Sequence, residues 1–179
     1  MSTQIKLKNV RFSYAHLWKP RVVKGSTNGP SFSVALIIPK DHPQVAEIKE
    51  AIRTEIADRW PDPKKRPPKL HNPLRDGDAE KEGDEVYANA YFINARSGVD
   101  YPPMVYDGQR NKVENSSFWG SGDYGNAAFD LYPFDVGTNR GIGVGLKQVQ
   151  FVRKGEPLGF SNAAPLFDVE EGGEESMYD

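Results

Sequence analysis

The chain has no cysteine. Disulfide staples, thiolate nucleophiles and cysteine-held zinc are therefore excluded, and a reducing compartment is compatible with the composition. No apolar run approaches the ~18 residues of a membrane-spanning helix. The opening MSTQIKLKNV has no apolar signal-peptide core. The expected location is the cytoplasm, with no membrane partner. Acidic residues are missing from the first 40 positions, which hold seven basic ones: Lys6, Lys8, Arg11, Lys19, Arg21, Lys24 and Lys40. Basic residues are missing from the other end, where six acids follow from Asp168 onward.

Catalytic and metal chemistry is equally sparse. The three histidines, His16, His42 and His71, lie far apart without metal-ligand spacing. Asp76-Gly77-Asp78-Ala79-Glu80 has the outline of a calcium loop, but Lys81 replaces the required glycine and Tyr87 the closing glutamate. The run Gly141-Ile142-Gly143-Val144-Gly145-Leu146 fails the dinucleotide fingerprint, because Leu146 stands where the third glycine belongs. No phosphate-binding GxxxxGK[ST] occurs. No catalytic residue, metal or cofactor is expected, and the chain does not read as an enzyme.

What is present begins with a division of charge. The chain carries 23 basic and 25 acidic side chains; without the six tail acids, 19 acids face the same 23 bases. A basic start, a mildly basic body and an acidic end suggest a polyanion partner and an internal competitor for it. The apolar pattern is strand-rich. Residues 4–14 alternate in two phases around Asn9, which predicts a bulged strand. Residues 15–30 read as a loop or ragged strand pair, and 31–39 as a strand buried on both faces. Val45, Ile48, Ile52, Ile56 and Trp60 recur at helical spacing, predicting a helix of about 18 residues with Asp41 as N-cap and Gln44 as its capping partner. Strands are predicted over 86–95 and in the stretches around 127–136 and 139–157, with a phase shift near Lys147. Glycines at 141, 143 and 145 share one strand face, which permits the bending of a small barrel. The expected class is mainly β with one central helix.

Twenty aromatics (nine Phe, eight Tyr, three Trp) carry the functional signal. Single-stranded nucleic acid needs cations for phosphates and exposed rings for bases. Phe12, Phe32, Phe92, Phe129 and Phe151 read as core. The candidate DNA contacts are Arg11 and Tyr14; Trp18, Lys19, Arg21 and Lys24; the basic run Lys64, Lys65 and Arg66; Arg96; Tyr106, Arg110 and Lys112; Trp119; and Arg140. The Lys64–Arg66 run could alternatively pair with the acidic stretch at 76–85.

Taken in order, KLKNVRFSYAHLWKP, VALIIPK with the helix after it, GDEVYANAYFINARS and GIGVGLKQVQFVRKGEPLG resemble phage single-stranded DNA-binding proteins. The resemblance implies an OB-fold, a five-stranded Greek-key barrel with long loops, over 1–167. It also implies a disordered acidic tail over 168–179. In function it implies sequence-nonspecific binding of single-stranded DNA in phage replication, recombination and repair, within the host cytoplasm. The tail candidates are Asp168, Glu170, Glu171, Glu174, Glu175, Tyr178 and Asp179. They would compete with DNA and recruit replication or recombination proteins, and self-association into a homo-oligomer is compatible with this reading. The alternatives are a structural or protein-interaction domain of a phage, or a binder of duplex DNA or RNA on the same barrel.

Overall fold

The protein is described by a computed structural model covering residues 2–22 and 29–158. Lys24 and every tail candidate from Asp168 to Asp179 lie outside the described residues.

The first strand, β1 (Thr3–Arg21), is long because three separate irregularities let it follow a curved sheet. Between Leu7 and Val10 it advances three residues while its neighbour retreats two, and Asn9 takes the extra place at φ 54°. That is the bulge predicted from the phase shift. A bulge strands backbone groups that the ladder would otherwise pair. Here the approach to the helix supplies partners. Gln44 accepts from Lys8 N (2.8 Å) and donates to Lys6 O (2.9 Å), while His42 Nε2 donates to Lys8 O (2.6 Å).

The other elements follow: β2 (Ser31–Pro39), helix α1 (Val45–Arg59), a 3-10 turn at Pro63–Lys65, β3 (Arg75–Asp76), the single-turn α2 (Gly77–Glu80), a 3-10 turn at Glu85–Tyr87, β4 (Ala90–Gly98), β5 (Met104–Tyr106), β6 (Tyr124–Val136) and β7 (Asn139–Arg153). Strand β1 pairs with β2, β2 with β4, β7 with β6, and β6 with β1. One parallel bridge, Arg96 to Gly145, joins β4 to β7 and closes a five-stranded barrel of OB type. The short strands β3 and β5 flank it on β4 and β7.

Inside lie Phe12, Phe129 and Phe151 with Leu7, Leu36, Ile38, Ile93 and Leu131. Helix α1 packs against β6, β7 and β1, burying Val45, Ile48, Ala51 and Ile52, with Trp60 buried just beyond its end. The helix has 15 residues, shorter than predicted, because the residues expected to start it serve β1. Asp41 caps nothing among the described residues; Gln44 occupies the N-cap position without a side-chain cap, its amide committed to the bulge. The strand predicted from residue 86 starts at Ala90, because Asp84 accepts from Val86 N and folds 85–87 into a turn. In β7 the extra residue is Lys147, where the apolar phase changes: Gln148 faces Ala128 and Leu146 faces Phe129.

Candidate nucleic-acid interface

The register of β1, β2 and β4 defines an outer face opposite the core. On it Ile37 meets Phe92, Ala35 meets Asn94, Ser33 meets Arg96 and Ser31 meets Gly98. From β1, Arg11, Ser13, His16 and Arg21 lie opposite Ile37, Ala35, Ser33 and Ser31. The two halves of this face differ in character. At one end Ile37, Tyr87, Ala90 and Phe92 form a small apolar cluster of their own, with Val86 and Leu158 packed on it. Glu82, Asp84, Glu85 and Glu156 crowd that end beside Arg11. The other half carries serines, Asn94 and three basic side chains: His16, Arg21 and Arg96.

The open half has a floor of small side chains and a cationic rim. Arg21 Nη1 lies 2.9 Å from His16 Nε2, and Arg96 is exposed with no hydrogen-bond or ion-pair partner among the described residues. Burial holds the His16 pKa below its ordinary value, and the neighbouring Arg21 guanidinium lowers it further. His16 is thus a neutral acceptor for Arg21 at pH 7. Tyr14 projects nearby because the second irregularity of β1, between Ser13 and His16, sets it at φ 48° and leaves it 57% exposed.

Arg11 is committed differently. It donates to Gly122 O (2.9 Å) and Glu156 O (2.7 Å) and lies over the Tyr124 ring, which Arg153 also covers at 4.1 Å. It ties the chain after β7 to the barrel. Lys19 is exposed towards the far end of β1.

A second group gathers around β5. Trp18 and Trp119 both stack on Phe151, at centroid distances of 6.0 and 5.3 Å, and Trp18 Nε1 donates to Val113 O (2.9 Å). Both indoles are half-buried against the core. Phe118, 61% exposed, meets Trp119 edge-on, and Lys154 lies over both rings. Lys154 is anchored by the buried Asp123 at 2.9 Å. Tyr106 is bridged to Lys112 across a turn that Asp107 holds by accepting from the backbone N–H of Gln109 and Asn111, with Arg110 at φ 66°. These contacts hold the Asp107 carboxyl below the usual carboxylate range, the Asn111 backbone N–H most of all.

The third group stands apart, near the end of α1. Lys64 and Lys65 are exposed and without ion-pair partners among the described residues, and Arg66 Nε donates to Trp60 O (2.8 Å). The acidic stretch does not pair with them. Asp76 and Asp78 both take Lys40 (2.9 and 2.8 Å), and Glu80 takes Arg75. Hydrogen bonds to Asp78 and then Asp76 hold the Lys40 pKa above its ordinary range. Arg140 pairs with Asp135 (2.9 Å), which also takes Arg59. The sequence candidates therefore fall into three places rather than one. Sequence reasoning missed His16, Ser33 and Asn94, which become neighbours only through strand register. Of the aromatic pair Phe118-Trp119, only Trp119 stands among the sequence candidates, and Lys154, which lies over both rings, is not among them.

The chain matches, over residues 3–177, a protein family described as Enterobacter phage Enc34, ssDNA-binding protein. It is 31% identical over 181 residues to protein p50 of Acyrthosiphon pisum secondary endosymbiont phage 1, covering 94% of this chain and 93% of that one. Among solved structures it resembles the single-stranded DNA-binding protein from bacteriophage Enc34 in complex with ssDNA, with a TM-score of 0.76 and 24% identity over 87% of this chain and 89% of that one. It also resembles gp2.5, a single-stranded DNA-binding protein encoded by bacteriophage T7, with a TM-score of 0.61 and 16% identity over 97% and 98% of the two chains. The last two likenesses concern the fold.

Proposed function

This chain belongs to the Enc34-type family of phage single-stranded DNA-binding proteins, and from that premise we propose that it binds single-stranded DNA without sequence preference across the open half of the β1–β2–β4 face. The row His16–Ser33–Arg96 is the observation that carries the reading. With Arg21 beside His16, it offers two guanidiniums without carboxylate partners among the described residues, beside an exposed Tyr14, over side chains small enough to admit a backbone and its bases. Lys19 extends the cationic end. Trp18, Trp119, Tyr106, Arg110 and Lys112 form a secondary contact around β5. Lys64, Lys65, Arg66 and Arg140 contribute long-range field.

The acidic tail is proposed to compete for this surface and to recruit replication, recombination or repair proteins in the host cytoplasm. Support comes from where the described chain ends. Gly155–Leu158 runs past Arg11 on to the Ile37–Phe92 cluster, at one end of the same outer face that carries the open row. A string of six carboxylates tethered to the same chain has a high effective concentration over its cations.

The test is a tryptophan-fluorescence titration with oligo(dT) at two salt concentrations, with a duplex competitor, using the full chain and a variant ending at Phe167. The full chain should bind oligo(dT), with log affinity falling against log salt at a slope of about −0.7 per phosphate neutralised. Duplex should compete poorly. The shortened chain should bind more tightly at low salt, the gain fading as ions screen the tail. Absence of binding at low salt overturns the function. Equal affinities of the two chains at low salt overturn tail competition alone.

A further inference from the structure

The cationic row does not stop at β4. Arg96 is bridged to Gly145 of β7, and Gly145 faces Asp130 of β6. On the outer side of β7, glycines at 143 and 145 remove every side chain from the surface. Tyr132 of β6 fills part of that space. Its ring lies so close over Gly143 that a Cβ there would meet ring atoms at 2.8–3.0 Å, and it reaches to 3.7 Å from a Cβ at Gly145. Tyr132 is nevertheless 41% exposed, and no other ring or cation covers it among the described residues. Lys147, carried outward by the β7 bulge, reaches Asp130 at 3.4 Å and offsets the one carboxylate on this floor. The floor ends at Gly141, where the His71 backbone closes over the strand.

A half-covered aromatic ring, a bare glycine backbone and a guanidinium without a partner among the described residues thus lie along the continuation of the row His16–Ser33–Arg96. We propose that Tyr132 is a base-stacking platform, with a single strand leaving the β1–β2–β4 face over Gly145 so that Arg96 meets the phosphate and Tyr132 the next base. The inference rests on the single-strand reading above and extends its path by two strands. Crossing from β1 to β6 spans four strand spacings, about 19 Å at ~4.8 Å each. That length fits a footprint within the ~4–16 nucleotides of one OB fold.

A purely structural role would have Tyr132 cover glycines for the sake of the sheet. Two variants separate the roles. Tyr132→Phe keeps a ring; Tyr132→Leu keeps apolar cover without one. With oligo(dT), Phe should leave the affinity unchanged, whereas Leu should lower it about 30-fold, at the middle of the range for one stacked base. The salt slope should stay the same, since no phosphate contact is lost. Equal affinity for the Leu variant, in a background where the wild type binds, overturns the platform and leaves the DNA-binding function standing. Failure of the wild type to bind overturns the function itself. A second measurement avoids substitution. Photocrosslinking of an iodouracil-substituted strand to the wild-type chain, read by peptide mass mapping, should place an adduct on Tyr132. Adducts on the β1–β2–β4 face with none on Tyr132 would contradict the proposal.

Discussion

His16 shows how a single side chain acquires meaning from its neighbours. In the sequence it is one of three scattered histidines. In the structure it accepts from Arg21, faces Ser33 on β2 and lies two strands from Arg96 on β4. Its pKa lies below the ordinary 6.5, chiefly through burial. The folded form therefore binds fewer protons than the unfolded chain just below that value, so this residue withdraws stability as pH falls through 6.5. Bound phosphate acts oppositely, favouring the charged ring. Binding should thus take up a proton, and affinity for oligo(dT) should rise as pH drops from 7 towards 5.5. His16→Gln should flatten that rise. His71, whose pKa is also lowered by burial and then by Arg75, is common to both proteins and cancels in the comparison. A pH dependence identical in wild type and variant would place His16 outside the DNA path.

At the scale of elements, bulges were legible and caps were not. An apolar phase shift marks an extra residue directly, as at Asn9 and Lys147. A cap is a competition between partners. Asp41 and Gln44 together read as a helix start, yet the unpaired backbone of the β1 bulge takes Gln44, and His42 with it, instead. The strand start at Ala90 escaped for a similar reason. Val86 and Tyr87 have strand composition, but Asp84 turns them and Tyr87 packs edge-on against Phe92 at 5.2 Å. Phe92 itself, expected in the core, is buried on the outer face with Ile37. If Gln44 is the clamp between helix and bulge, Gln44→Ala should cost about 1 kcal/mol for its exposed bonds. Thermal unfolding should read that as a Tm lower by about 2–4 °C. An unchanged Tm would mean that water replaces the amide without cost.

Across the whole molecule, charge was readable and position was not. The acid-free first 40 residues predict a polyanion partner, but the candidates named from local chemistry fall into three separate groups. Those near β5 and at the α1 end share composition with the outer-face cations, yet only strand register aligns Arg21, His16 and Arg96. Aromatic neighbours were equally ambiguous. Trp18 and Trp119, far apart in sequence, clasp one phenylalanine. Tyr132, an ordinary strand residue by pattern, lies open over glycines whose partner strand could not be read from spacing. The central claim is that single-stranded DNA crosses the barrel along this row. The most direct test compares the salt dependence of oligo(dT) affinity for the wild type and for Arg21→Ala/Arg96→Ala. If the two guanidiniums each neutralise one phosphate, the double variant's slope of log affinity against log salt should be shallower by about 1.4. Parallel lines for the two proteins would contradict the account.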